Sequence, residues 1–103
     1  MKRGDVHWCG FDKPAKHRPV VILTRDAIIP HVGEVTVAAV TSTVRNIPSE
    51  VTLDKADGMP NACAVNCDHI QTVAKAKIGS FIKSLPPARK REVRAAIALA
   101  LDA

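Results

Sequence analysis

Aromatic side chains are scarce in this 103-residue chain, where Trp8, Phe11 and Phe81 make up 3% of the residues. A generic single-strand nucleic-acid binder stacks bases on several rings, so that mode is excluded. Any nucleic-acid ligand must be held mainly by charge and hydrogen bonds. Cysteine is equally thin. Cys9, Cys63 and Cys67 are odd in number and include one C-x3-C pair with no second pair, which fits neither a disulfide framework nor a zinc ribbon. They read as reduced thiols packed as small apolar groups. The acidic residues form no metal-binding signature, so no metal or other cofactor is expected. No apolar run approaches the roughly 20 residues of a membrane span. The opening MKRGDVHW is charged at once and unlike a secretory signal, so a soluble, cytoplasmic protein with no membrane partner is expected.

What remains is apolar and basic. A hydrophobic content of 47% over 103 residues fits one domain spanning 1–103, burying roughly 60–70% of its unfolded surface. Fifteen Lys and Arg against 10 Asp and Glu leave a net charge of +5, which favours a polyanion or an acidic protein as partner.

Short runs rich in Val, Ile and Thr recur between turn signals. Strands are expected over Asp5–Cys9, Pro19–Thr24, Glu34–Val40, Glu50–Leu53, Ala62–Asn66, Ile70–Val73 and Ile78–Ile82, with breakers such as DKPAKH, PHVG, NIPS and DGMPN between them. Seven short strands suggest a barrel or a sandwich. After Pro86-Pro87 the period changes. Val93, Ala96, Ile97, Ala100 and Leu101 fall at helical spacing, which predicts one amphipathic C-terminal helix packed on the sheet. Its first turn carries Arg89, Lys90 and Arg91, with Arg94 following, where the helix dipole prefers carboxylates. That basic face is either solvated or open to an acidic partner or an RNA flank.

Two polar features interrupt the apolar pattern. In HRPVVILT, Pro19 biases Arg18 to an extended conformation and removes a ladder donor, so the pair belongs at the exposed start of a rim strand. In VAAVTSTVR, the hydroxyls of Thr41, Ser42 and Thr43 follow a buried-looking strand and precede Arg45 and Asn46. Both lie at strand ends, where loops on a rigid scaffold carry function.

The ordered set RGDVHW, HRPVVILTRD, VTVAAVTSTVRNIPSEV, DGMPNACAVNCDHIQTV and IGSFI, closed by a helix ending ALALD, resembles the MazF/PemK family of toxin endoribonucleases over essentially the whole chain. The resemblance implies a mainly β fold, a small SH3-like antiparallel barrel of the MazF/CcdB/Kid type with a C-terminal helix, paired as a homodimer. It implies metal-independent cleavage of single-stranded RNA (mRNA, tRNA or rRNA), leaving 2′,3′-cyclic phosphate and 5′-hydroxyl ends. It also implies neutralisation by an acidic MazE-like antitoxin in bacterial cytoplasm.

The family's catalytic Arg falls on Arg18 and its catalytic Thr on Thr41. A fixed guanidinium and a hydroxyl can both donate to phosphoryl oxygens whose charge grows in the transition state. His17 is a candidate acid/base or phosphate contact, although neighbours in an extended chain point to opposite faces. Substrate contacts are implied for Ser42, Thr43, Arg45 and Ile47, and for Asp68 and His69 in a turn Asn66-Cys67-Asp68-His69 expected to join two strands. The first loop, Gly10–Lys16, lacks the acidic residue that many relatives place before the R-P-V motif. Two rival readings remain at this point: a non-catalytic basic RNA-binding barrel, and a gyrase-directed toxin resembling CcdB. Retention of both Arg18 and Thr41 counts against the first, and the absence of an aromatic residue at the C-terminus counts against the second.

Overall fold

The computed structural model describes residues 1–10 and 17–102, so most of the first loop lies outside the described residues. The chain runs through β1 (Asp5–Gly10), β2 (His17–Ile22), β3 (Glu34–Thr41), β4 (Glu50–Leu53), β5 (Cys63–Ala74) and β6 (Ile78–Ser84) to helix α1 (Pro87–Ala100). All neighbouring strands pair antiparallel in the order β4-β5-β3-β2-β1-β6. Stiff β-branched residues on a pleated, half-buried surface account for these strands.

Two expectations need correction. The ladder does not close into a barrel: β4 and β6 remain its edges. β4 offers only four residues, and β6 shifts register twice against β1, so neither edge presents the long regular ladder that closure demands. The segments Ala62–Asn66 and Ile70–Val73 are not separate strands either. They fuse into the 12-residue β5, and the expected turn at Asn66–His69 is a bulge within it. The pairing of β3 with β5 jumps from Ala38↔Ile70 to Ala39↔Asn66, which leaves Cys67, Asp68 and His69 as three extra residues on β5.

Alternation along the strands builds two apolar clusters, one on each side of the sheet. Val6, Val21, Ala38, Val40, Val51, Leu53, Val65 and Cys67 pack with Leu85, Val93 and Ala96 on the helix side. Cys9, Val20, Ile22, Val35, Val37 and Val73 face the other way and are joined by Ile29 from the short 3-10 turn Ile29–His31. In α1, Val93 and Ala96 are buried, and Ile97 and Ala100 pack partly against the same cluster. Leu101 lies beyond the helix end and is 64% exposed, so it leaves the expected apolar face.

The cations at the start of α1 are not a uniform solvated face. Arg89 donates through Nε to both carboxylate oxygens of buried Asp57 at 3.1 Å and through an η nitrogen to Glu92 at 2.9 Å. Asp57 lies in the turn Lys55–Asp57, where Asp54 accepts the Ala56 N–H at 2.9 Å and Asp57 accepts the Asp54 N–H at 3.0 Å, a reciprocal cap. Gly58 then ends the turn with φ of 87°, a left-handed conformation that glycine adopts without steric cost. Arg89 thus fastens α1 to this turn.

Burial alone would raise the Asp57 carboxyl, but the hydrogen bonds from Arg89 and the Asp54 backbone outweigh it and hold the group below its ordinary value. Arg89→Ala should lower stability by about 2 kcal/mol, since it strands a buried carboxylate. A carboxyl depressed in the fold stabilises above its unfolded value of about 3.9 and loses that contribution as pH falls through the folded value. The gap between wild type and Arg89→Ala in urea denaturation should therefore be widest near neutral pH and narrow as pH falls through the carboxylate range.

Candidate functional site

The face of the sheet opposite α1 gathers most of the candidate residues. Val20 pairs with Ala39, Ala39 with Asn66, and Asn66 with Glu50, so these four form one row across β2, β3, β5 and β4. Stepping two residues outward along each strand gives a second row, Arg18, Thr41, Ala64 and Thr52, in which Thr41↔Ala64 and Ala64↔Thr52 are paired. The β2/β3 pairing stops at Val20↔Ala39, and its continuation sets Arg18 across from Thr41. The two rows are about 6.8 Å apart along the strands.

Arg18 is exposed at the start of β2, where its Cα partner is Cys9 on β1. Pro19 follows opposite Trp8 and is flanked by β3 only from Val20 onward, so its missing N–H removes no bond of the β2/β3 pairing. Thr41 is half-buried at the end of β3, and its Oγ1 accepts the Thr43 N–H at 3.1 Å. That bond occupies a lone pair and leaves the hydroxyl proton available to an external acceptor. Ser42 and Thr43 are exposed beside it.

The loop after β3 folds back over the first row. Asn46 takes a positive φ of 55°, which Asn tolerates well, and the chain re-enters the sheet with the Glu50 N–H donating to the Ile47 carbonyl at 2.9 Å. Ile47 is half-buried and Arg45 exposed. The Arg45 N–H donates to Glu50 Oε1 at 2.9 Å, and Arg45 Nε stands 4.0 Å from Glu50 Oε2. The Glu50 side chain is only 1% exposed.

Asp68 and His69 are exposed, as a substrate contact requires, but they project from the β5 bulge rather than from a turn. The Asn66 side chain shapes that bulge by accepting the Asp68 N–H at 3.0 Å, and Asp68 accepts the Ser49 hydroxyl at 2.5 Å. The Cys67 N–H donates to the Ser49 carbonyl at 3.0 Å. Loop and bulge are therefore one hydrogen-bonded unit. Ser49, Glu50 and Asn66, all buried, were not singled out in the sequence as site residues. Their one signal is Asn66 in a stretch read as a turn, and a Glu opening a strand reads as solvated.

His17 is exposed at the start of β2, next to Arg18 but on the other face by strand alternation, and its ring lies against Gly10. Cys67 is no nucleophile, because burial, and then the charge of Asp68, push its thiol up to about 11. Among the described residues no group of three His, Cys, Asp or Glu is arranged to hold a metal ion. Lys90, Arg91 and Arg94 belong to the helix side of the sheet, away from Arg18 and Thr41, and Arg89 is already paired.

A family model described as the PemK-like, MazF-like toxin of type II toxin–antitoxin systems matches residues 2–101. The chain is 38% identical over 101 residues to a protein of Mycobacterium tuberculosis named probable endoribonuclease MazF5, covering 97% of this chain and 92% of that one. It is 39% identical over 97 residues to M. tuberculosis endoribonuclease MazF3, covering 94% and 91%. The solved structure of M. tuberculosis toxin MazF-mt6 superposes with a TM-score of 0.87 at 37% identity, covering 95% and 96%. A mycobacterial endoribonuclease in complex with its cognate antitoxin superposes with a TM-score of 0.88 at 29% identity, covering 99% and 95%. No described helix is long and apolar enough to cross a membrane. A match along nearly the whole sequence, joined to the same fold, places this chain in the MazF/PemK family of type II toxin endoribonucleases.

Proposed function

We propose that this toxin endoribonuclease cuts single-stranded RNA with Arg18 and Thr41 at the reacting phosphate. The observation that carries the reading is the β2/β3 register, which, continued two residues beyond Val20↔Ala39, sets exposed Arg18 across from half-buried Thr41 at the strand ends, near the loop of Arg45 and the bulge of Asp68 and His69. In the reaction the ribose 2′-oxygen loses its proton and bonds to phosphorus while the bond to the 5′-oxygen breaks. The 5′-oxygen takes a proton, and the ends are a 2′,3′-cyclic phosphate and a 5′-hydroxyl. The intermediate phosphorane carries more negative charge than the substrate phosphodiester. Arg18, permanently cationic, can donate two parallel hydrogen bonds to its oxygens, and the free proton of Thr41 can donate a third. Arg18 is too weak a base to take the 2′-proton. Ser42, Thr43, Arg45, Ile47, Asp68 and His69 form the substrate groove on this reading. His17 serves the loop or a flanking phosphate.

The partner is an acidic antitoxin, in keeping with the net charge of +5 and with the relative solved with its cognate antitoxin. An acidic segment laid across Arg18 and Arg45 competes with RNA for the same cations. The toxin acts as a homodimer, in which a second copy covers strand edges that a six-stranded open sheet leaves unpaired.

Arg18→Ala should fold as wild type yet lose at least about a hundredfold in cleavage of a single-stranded transcript, as removal of one transition-state donor does. A fully active, folded Arg18→Ala would remove the assignment. Cleavage in excess EDTA should proceed at the untreated rate; activity restored only by a divalent ion would contradict the mechanism. Light scattering at micromolar concentration should give twice the chain mass, and affinity for the antitoxin should fall steeply between 50 and 500 mM salt.

A further inference from the structure

Glu50 stands out because its carboxylate is withdrawn from water without being fully paired. Its side chain is 1% exposed, Oε1 accepts the Arg45 N–H, and Oε2 has no hydrogen-bond partner among the described residues. A buried carboxylate oxygen with no donor costs free energy, so a fold that keeps it calls for a physical explanation. The nearest cation is the Arg45 guanidinium, whose Nε stands 4.0 Å from Oε2 while its side chain remains 51% exposed. The separation is too long for a hydrogen bond and short enough for a strong field. Glu50 also faces Asn66 across the β4/β5 ladder, and Asn66 holds the bulge that presents Asp68.

We propose that Glu50 is a positioning residue for RNA, whose buried carboxylate fixes the Arg45 backbone and aims its guanidinium into the groove beside Arg18 and Thr41. The proposal rests on the reading of Arg45 as an RNA contact. Oε1 sets where the loop turns, and Oε2 sets which way the guanidinium points. The carboxylate meets the Nε edge and leaves the terminal nitrogens for a phosphate. Buried charge suits this task because a neutral acceptor could hold the N–H but could not orient the cation. Ser49 and Asn66 complete the device by tying the same loop to the Asp68 bulge.

Glu50→Gln keeps the shape and an acceptor for the Arg45 N–H but deletes the charge. On a long single-stranded transcript it should raise KM about fivefold with kcat within about twofold of wild type. The slope of log KM against log salt should shrink by about 0.7, the value of one single-strand phosphate contact. Arg45→Ala should show the same slope change, and the double variant should be no worse than Arg45→Ala alone. Wild-type KM and slope in Glu50→Gln, or effects that multiply in the double variant, would overturn the role of Glu50. Wild-type KM in Arg45→Ala would overturn the reading of Arg45 as a contact, and the proposal with it. Arg45→Lys alters only an exposed side chain and gives an independent arm should Glu50→Gln fail to fold. It keeps the charge but lacks the planar edge, so it too should raise KM with kcat preserved, and an unchanged KM would overturn the proposal.

Discussion

Polar groups removed from water must find partners, and at the β4/β5 end of the sheet that requirement shapes the surface on which RNA would lie. Asn66 is 2% exposed, and its side chain is used to accept the Asp68 N–H from within its own strand. A bond of this kind offers the backbone an alternative to the ladder, which is why β5 can carry three residues that β3 does not match. Ser49 answers Asp68, and Glu50 answers Arg45. Remove these partnerships and only the half-buried Val44 and Ile47 would anchor the loop after β3, since Ser42, Thr43, Arg45 and Asn46 are all exposed.

The sheet also divides the positive charge of the molecule. Arg18 and Arg45 lie on one side, where local hydrogen bonds can act on a phosphate. Lys90, Arg91 and Arg94 lie on the helix that covers the other side, where they add to the long-range field that draws a polyanion inward. Arg89 has left that population, because its guanidinium is fixed to Asp57 and Glu92. A net charge of +5 thus overstates the cations that can meet one ligand at one time.

Much of the architecture was legible in the chain itself. Val, Ile and Thr runs bounded by Pro, Gly, Asn and Asp located the strands within a few residues, and the change of period after Pro86-Pro87 located α1. What failed were judgements that depend on distant partners. Asn66 and Asp68 are turn formers in any local reading, and only the register against Ala38 and Ala39 turns the stretch into a bulge. Leu101 fits the helical period, yet the helix stops at Ala100. Arg89 looked misplaced near the positive end of a helix because Asp57, 32 positions earlier, cannot be seen from the helix alone. Arg18 and Thr41 were singled out as a strand-start cation and a run of hydroxyls, and family resemblance gave them roles. Composition could not say that they would lie on adjacent strands of one sheet, whereas the antiparallel register, continued two residues beyond Val20↔Ala39, sets them across from one another.

The bulge in β5 has an evolutionary consequence. Its three residues are an odd number, so the strand returns from it with its inward and outward positions exchanged: Val65 and Cys67 face the helix before and within it, and Ile70 does so after it. Adding or deleting one residue here would reverse that phase and turn Ile70 and Val73 to the wrong sides of the sheet. Substitutions, or changes of length by two residues, keep that phase, whereas a change of length by one does not. His69 is exposed and outside the ladder with β3, so it can be exchanged freely, whereas Asp68 is tied to Ser49 and the frame beneath them cannot change. A lineage of such toxins can therefore vary what this bulge exposes without altering how the sheet folds.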